Sequence, residues 1–179
     1  MANLKEVKNR INSVVSTQQI TKAMKMVAAA KLKRAQDRIT MMRPYSQKLS
    51  AILQNVSGSG EEMNNPYAKE RTVEKVLLIL VTSDKGLCGA FNSNVFKGVR
   101  NLLASDEMSG VEVSVLPIGK KANDFYKKSD YTLVDQFWGI FGDLSFDKAR
   151  EAAEYTMDPF VDGKYDRVVL AYNEFKKYL

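Results

Sequence analysis

The chain has 179 residues, of which 45% are hydrophobic, and a formal net charge of +6 from 27 Lys and Arg against 21 Asp and Glu. It contains no histidine and a single cysteine, which excludes histidine-based triads, histidine-ligated zinc and intrachain disulfides. The charge is uneven, because residues 1–43 carry ten Lys or Arg against Glu6 and Asp37. This basic first quarter needs an acidic partner, which could be nucleic acid, an anionic membrane or an acidic protein surface.

The first predicted element is one long helix over Leu4–Val56, because apolar residues recur there at alternating spacings of three and four. That spacing is typical of a helix that pairs with another helix as a coiled coil. At 1.5 Å per residue the helix would be about 80 Å long, and Pro44 should bend it. We call its main apolar stripe the seam, which comprises Leu4, Val7, Ile11, Val14, Leu32, Ile39, Leu49 and Leu53.

The seam is interrupted in its middle by Gln18, Thr21 and Lys25. A second apolar stripe lies on a rotated face there, formed by Ile20, Met24 and Val27. The sequence therefore predicts that the helix changes its packing partner in this region. An ordinary core helix with a precessing stripe is the alternative, and the length of the pattern argues against it.

A polar, glycine-rich stretch from Ser57 to Glu62 ends the helical pattern. Beyond it, strand-like apolar runs alternate with helix-length segments, which is typical of a mostly parallel sheet covered on both faces. We therefore predict a helix over residues 1–57, a linker over 58–72 and an α/β domain with a Rossmann-like sheet over 73–179. Its predicted elements are Val76–Val81, Asn92–Leu103, Val111–Ile118, Lys120–Lys127, Tyr131–Phe137, Phe146–Phe160 and Val168–Tyr172.

The loop Thr82–Asn92 follows the first strand, at the edge of an α/β sheet where ligands usually bind. Lys85 and the helix after the loop could hold an anion, but neither the GxxxxGK[ST] nor the GxGxxG spacing is present. A tight turn that needs glycine is the alternative. Asp84 lacks the second aspartate of a phosphatase nucleophile, and Cys88 lacks an activating partner, so we predict a packing role for Cys88.

Two further loops should lie at the same edge of the sheet, since each follows a strand. They are Gly119-Lys120-Lys121 and Tyr172–Lys176, and with the first loop they form a partly basic rim. Lys120 and Lys121 could also be ordinary solvated charges. For Trp138 we predict packing in the core or at the sheet edge rather than ligand binding.

Several segments, in collinear order along the whole chain, resemble the gamma subunits of F-type rotary ATP synthases. They are Asn3–Glu6, Asn9–Ile11, Thr17–Leu32, Ser83–Asn92, Gly119–Lys121 and Tyr172–Lys176. The resemblance implies a central-stalk rotor, in which the first helix pairs antiparallel with a C-terminal helix inside a hexameric head. The family continues beyond the last of these segments, so the resemblance also implies that this chain is a fragment.

The resemblance further implies a subunit without catalytic residues, cofactor or metal, which couples proton translocation to ATP synthesis or hydrolysis on its partners. Those partners would be the alpha and beta head subunits, the epsilon subunit and the membrane c-ring, with no nucleic acid. The subunit would be peripheral, on the cytoplasmic face of the bacterial inner membrane or its organellar equivalent. Residues expected to contact the head are Arg10, Lys22, Met24, Lys25, Lys31, Asp84, Lys85 and Cys88.

Two other functions fit parts of the sequence. A nucleic-acid-binding protein could use the basic helix, although no aromatic residue before Tyr45 could stack on bases. A small nucleotide-dependent enzyme could use the loop Asp84–Asn92, although it lacks a recognisable catalytic set. Both stay open as alternatives at this point.

Overall fold

The computed structural model of the chain describes residues 3–57, 65–68, 71–134, 137–142 and 144–176. The chain divides into two compact units, Met1–Glu62 and Met63–Leu179. We call the second one the α/β unit. The linker limits of 58–72 stay a prediction, because much of that range lies outside the described residues.

Within its described residues the first unit contains one helix, α1, which spans Leu4–Ser57. Asn3 caps its start: the Asn3 side-chain oxygen accepts a hydrogen bond from the Lys5 N–H at 3.2 Å, and the Asn3 carbonyl accepts one from the Glu6 N–H at 2.8 Å. The helix continues through Pro44. The predicted long helix is thus confirmed, and the bend at Pro44 stays a prediction.

In the described part of the α/β unit, four parallel strands form a sheet in the order β3-β2-β1-β4. The central strand β1 pairs with both β2 and β4, so that Leu78 lies between Val115 and Val169. The predicted fold class is confirmed. The elements are β1 (Lys75–Val81), α2 (Phe91–Leu103), a short 3₁₀ helix (Asp106–Met108), β2 (Glu112–Ile118), α3 (Lys120–Tyr126), β3 (Thr132–Leu133), α4 (Phe146–Val161) and β4 (Arg167–Ala171).

Both faces of the sheet are covered, because successive residues of β1 point to opposite sides. Leu78 and Leu80 pack with Val95 and Val99 of α2 on one face. On the other face Leu77 packs with Leu116 and Tyr165, and Tyr155 of α4 lies against them. The near-continuous apolar character of β1 is therefore explained by burial on two sides.

The fifth predicted segment, Tyr131–Phe137, is shorter as a strand than the sequence suggests. β3 pairs with β2 over Thr132 and Leu133 only, and Phe137 forms a single bridge with Ile118. The Val134 N–H still donates to the Val115 carbonyl at 3.1 Å, and residues 135 and 136 lie outside the described part. β3 is a sheet-edge strand with one strand neighbour, which gives it fewer hydrogen bonds to hold it extended.

Candidate functional site

The seam of α1 is exposed along its whole length. Its side chains range from 36% exposed at Ile39 to 86% exposed at Leu4. An apolar stripe of this length on a 54-residue helix is the usual sign of an interaction surface, because soluble helices otherwise bury such stripes. The seam residues predicted from the sequence are therefore available for a partner helix.

The second stripe is exposed as well, with Ile20, Met24 and Val27 each more than half accessible. Thr17 and Thr21 lie beside it, and their hydroxyls form hydrogen bonds within the helix. Thr17 Oγ1 donates to the Ser13 carbonyl at 2.9 Å, and Thr21 Oγ1 donates to the Thr17 carbonyl at 2.8 Å. The hydroxyl protons are thus unavailable to a partner. The spacing of Ser13, Thr17 and Thr21 by four residues is the sequence signal for this ladder, which was not among the predictions.

The positive charge of α1 is carried on exposed side chains. Arg10, Lys22, Lys25 and Lys31 are all exposed, while Lys33 is paired with Asp37 at 3.1 Å one turn away. Arg10, Lys22, Lys25 and Lys31 therefore lie on a surface that an acidic partner could reach.

At the carboxyl edge of the sheet, the side chain of Asp84 joins three loops. Its Oδ1 accepts a hydrogen bond from the Lys120 N–H at 2.9 Å, and its Oδ2 accepts one from the Gly139 N–H at 3.1 Å. The Lys121 N–H in turn donates to the Ser83 carbonyl at 3.1 Å. We call this surface the rim, formed by residues 82–92, 119–121, 137–142 and 172–176. Since both carboxylate oxygens are engaged, Asp84 is not arranged as a nucleophile.

A second network fixes the turn that follows Asp84. Asn92 accepts from the Ser83 N–H at 3.0 Å and donates through Nδ2 to Ser83 Oγ at 2.9 Å and to Cys88 Sγ at 3.2 Å. Ser83 Oγ donates to the Lys85 carbonyl at 2.6 Å. Cys88 is free and exposed, so the packing role predicted for it is not one of burial in the core. Its sulfur helps hold the turn through a polar contact instead.

Gly119 lets two loops of the rim approach each other closely. Its φ is +107°, and a Cβ at this position would lie 2.2 Å from the Thr82 carbonyl oxygen. Thr82 is buried and accepts the Ala122 N–H through Oγ1 at 2.9 Å, so it has little freedom to move. Glycine is therefore required here for space as well as for backbone conformation.

The remaining parts of the rim are tied to the same edge. Asn173, after β4, donates through Nδ2 to the Phe91 carbonyl at 2.7 Å. The Lys120 ammonium lies 6.0 Å from the centre of the Trp138 ring. Trp138 is 48% exposed, so it is not a core residue, in contrast to one of the two roles predicted for it. The structure thus brings together the three loops that the sequence placed at this edge, and adds residues 137–142.

Among the described residues, no three His, Cys, Asp or Glu side chains lie together as they would around a metal ion. The helices described here include none that is both long and apolar enough to cross a membrane.

Comparison with known proteins gives a consistent match along the chain. Residues 3–179 match the family model described as ATP synthase. The chain is 50% identical over 177 residues to the ATP synthase gamma chain of Flavobacterium psychrophilum, and 51% identical over 181 residues to that of Cytophaga hutchinsonii. Each alignment covers 98% of this chain and 61% of the relative. The chain therefore spans about three fifths of the length of these curated relatives.

A solved structure is similar too. It is the central stalk/c-ring of the mitochondrial ATP synthase of Tetrahymena thermophila, with a TM-score of 0.65 and 30% sequence identity. The match covers 88% of this chain and 66% of that one.

Proposed function

The chain belongs to the ATP synthase family, and on that basis we propose that it acts as the gamma-type rotor of the central stalk. In this role it couples proton translocation to ATP synthesis or hydrolysis on partner subunits and has no catalytic site of its own. The observation that carries the proposal is α1, a 54-residue helix whose apolar seam is exposed and whose charge is strongly positive.

The physical properties of α1 suit an axle inside a protein ring. A long seam is what a second long helix needs for coiled-coil pairing. In the middle of the helix the seam is interrupted by Gln18, Thr21 and Lys25, with Lys22 and Met24 beside them. The hydroxyls of Thr17 and Thr21 are bonded to the helix itself. Such a surface attracts acidic groups over a distance but offers few directional hydrogen bonds, so it opposes rotation less than a locked interface would.

The proposed head contacts are Arg10, Lys22, Met24, Lys25 and Lys31 on α1, together with Asp84, Lys85 and Cys88 on the rim. The alpha and beta subunits form the head in this proposal, and the epsilon subunit and the c-ring are the other partners. The chain then lies peripherally on the cytoplasmic face of the bacterial membrane. Two observations support this arrangement: the relatives are ATP synthase gamma chains, and the similar solved structure includes a central stalk and c-ring.

The test is capture of this chain by a purified hexamer of alpha and beta subunits, followed by biolayer interferometry at several salt concentrations. We expect saturable binding that weakens as salt rises, because exposed charges steer the association. The double variant Lys22→Glu/Lys25→Glu should bind about tenfold more weakly. The matched control is Lys127→Glu/Lys128→Glu, which changes the charge equally at exposed positions of the α/β unit and should bind as the unchanged chain does.

The same preparation separates the other two functions. Tight binding to double-stranded DNA with a steep salt dependence, and none to the head, would replace the rotor proposal by a nucleic-acid function. Saturable ATP binding that Lys85→Ala abolishes would replace it by an enzyme function. Absence of head binding at every salt concentration would contradict the rotor proposal directly.

A further inference from the structure

The α/β unit has a cavity of about 360 Å³ at the amino edge of its sheet, where the strands begin. This edge is opposite to the rim, because the four strands run parallel. Pockets that hold small molecules usually have volumes of about 300–1,000 Å³, so the cavity is large enough for a small ligand. We call it the amino-edge cavity, and the polar side chains that line it belong to Lys75, Glu112, Ser114, Thr132, Lys164 and Tyr165.

Polar residues of three neighbouring strands stand together at this end of the sheet. Side chains alternate between the two faces of a strand, so Glu112 and Ser114 of β2 share a face with Leu116, which belongs to the buried core on the α4 side. Lys75 of β1 is the register partner of Glu112, and Thr132 of β3 is the register partner of Ser114. An apolar face of the sheet therefore becomes polar where the strands start.

Two buried hydroxyl groups at the cavity have no partner among the described residues. Ser114 is 8% exposed and Tyr165 is 4% exposed, and neither side chain forms a hydrogen bond within the described part of the chain. Buried polar side chains in folded proteins almost always have a partner, because an unpaired donor that has lost its water is costly. Since both residues line the amino-edge cavity, the group that pairs with them has to enter it. That group is either water or a ligand.

The charges at the cavity select the class of ligand. Lys75 and Lys164 supply two ammonium groups against the one carboxylate of Glu112, and the Lys164 ammonium lies 5.6 Å from the centre of the Tyr165 ring. Together with the three hydroxyls of the wall, five groups are able to donate hydrogen bonds. A phosphate monoester offers three strong acceptor oxygens and a carboxylate two, so a phosphate group uses these donors more fully.

We propose that the amino-edge cavity binds a small phosphate monoester that also carries a hydroxyl group. Lys75, Lys164 and the hydroxyls of Ser114 and Tyr165 bind the phosphate group. Glu112 is able only to accept hydrogen bonds and repels a phosphate, so it accepts one from the hydroxyl of the ligand. This site is independent of the rotor proposal, because its residues all belong to the α/β unit and no partner subunit takes part.

The first experiment titrates the full chain, labelled with ¹⁵N, with glycerol 3-phosphate, inorganic phosphate and acetate. Ionic strength is held constant, because the exposed lysines of α1 also attract anions. We expect saturable changes in the amide signals of Ser114 and Tyr165. Glycerol 3-phosphate should bind most tightly, inorganic phosphate more weakly, and acetate at least about tenfold more weakly than glycerol 3-phosphate.

The second experiment removes the two buried hydroxyls. Ser114→Ala/Tyr165→Phe should weaken the binding of glycerol 3-phosphate at least about tenfold. The urea midpoint of Trp138 fluorescence without ligand should stay unchanged or rise, because unpaired hydroxyls do not stabilise the folded chain. A lower midpoint would show that the two hydroxyls already have partners in the chain and would overturn the inference.

The third experiment tests the charged residues. Lys75→Ala/Lys164→Ala should weaken the binding of glycerol 3-phosphate about tenfold. The matched control is Lys85→Ala/Lys120→Ala, which removes two exposed lysines from the opposite edge of the same sheet and should change binding less than about twofold.

Glu112→Gln distinguishes free phosphate from a hydroxylated monoester. The substitution removes a like charge and keeps an accepting oxygen, so the binding of inorganic phosphate should tighten about threefold. If inorganic phosphate binds the unchanged chain as tightly as glycerol 3-phosphate does, the phosphate site is supported and the role assigned to Glu112 is overturned.

Two further outcomes would overturn the site as a whole. Equal affinity for all three anions, unaffected by Ser114→Ala/Tyr165→Phe, would show that positive charge alone attracts them. If the amide signals of Ser114 and Tyr165 do not change at saturating anion concentrations, the cavity holds water only. Either result leaves the rotor proposal untouched, because capture by the head is measured separately.

Discussion

The two units of the chain use apolar residues in opposite ways. In α1 the seam residues Leu4, Ile11 and Leu53 are all more than half exposed. In the α/β unit, Leu77 and Leu80 of β1 are completely buried between layers of helix. The α/β unit therefore contains the interactions that stabilise it, whereas α1 depends on contacts with other chains or segments, since helices in water gain most of their stability from packing.

This difference can be measured because the two units report through different signals. Far-ultraviolet circular dichroism is dominated by α1, whose 54 residues outnumber the 13, 7 and 16 residues of α2, α3 and α4 together. The fluorescence of the single tryptophan, Trp138, reports on the α/β unit. We expect the two signals to change at different temperatures, with α1 melting first and over a broad range. If the circular dichroism and the fluorescence changed at the same temperature, the two units would not differ in stability as we expect.

The largest expected effect is that of Gly119→Ala. The added Cβ would meet the Thr82 carbonyl oxygen at 2.2 Å, in a backbone conformation with φ of +107° that alanine tolerates poorly. The loss of unfolding free energy should be at least about 4 kcal/mol, measured by urea titration of Trp138 fluorescence.

Gly98→Ala is the control for that substitution, because Gly98 lies in α2 and a Cβ there would meet no atom within 4 Å. It should stabilise the unit by about 0.5–1 kcal/mol, since alanine is the better helix residue. Gly119→Ala is expected to leave the α1 signal unchanged. Loss of both signals together would show that the two units fold as one.

Much of this architecture was readable from the sequence, and the reason differs between units. The spacing of the seam predicted α1 over almost its observed length, and the buried runs predicted β1, β2 and β4 within one or two residues. The local pattern is enough to predict these elements, because the spacing of apolar residues within a segment depends on whether it forms a helix or a strand. The strand order was not predictable, since it depends on which elements pack together in space.

The sequence predicts three of the loops that form the rim, but it does not predict the hydrogen bonds of Asp84 within it. Strand-end position placed residues 82–92, 119–121 and 172–176 at one edge, as the structure shows. The hydrogen bond from the Gly139 N–H to Asp84 joins residues that lie 55 positions apart in the sequence. No sequence motif predicts that a carboxylate will accept a hydrogen bond from so distant a backbone N–H. The family resemblance implies a head contact for Asp84, and the segment around Trp138 predicts packing in the core or at the sheet edge; neither pattern contains this link. The roles of the predicted head-contact residues stay predictions.

The next largest expected effect is a difference in unfolding free energy between two leucine-to-alanine variants, one in each unit. Leu80→Ala removes a completely buried side chain from β1 and should lower the unfolding free energy of the α/β unit by about 3 kcal/mol. Leu53→Ala removes a seam side chain that is 58% exposed, and should change that free energy by less than about 0.5 kcal/mol.

The seam variant becomes informative when the head is present. If α1 depends on external packing, Leu53→Ala should weaken capture by the head or by a partner helix and leave the stability of the α/β unit within the whole chain unchanged. A loss of several kcal/mol in the isolated chain would mean that the seam already has a partner within it, and would remove the contrast between the units.

The smallest expected effect is a pH dependence confined to the α/β unit. Asp166 Oδ2 accepts hydrogen bonds from the Glu74 N–H at 3.0 Å and the Lys75 N–H at 2.8 Å, and these bonds hold the pKa of the Asp166 carboxyl below its ordinary value of 3.8. A carboxyl whose pKa is lowered by folding stabilises the folded state above its unfolded pKa, and this stabilisation is lost as pH falls through the folded pKa. The α/β unit should therefore lose part of its stability below about pH 4.

Asp166→Asn isolates this contribution, because the amide oxygen can still accept both N–H groups but does not titrate. We expect the urea midpoint of Trp138 fluorescence to fall less between pH 6 and pH 3 in Asp166→Asn than in the unchanged chain. The helical signal of α1 should respond to pH equally in both, since Asp166 lies in the α/β unit. An identical fall of the fluorescence midpoint in both proteins would show that other carboxyls govern acid stability, and that the start of β1 does not depend on the charge of Asp166.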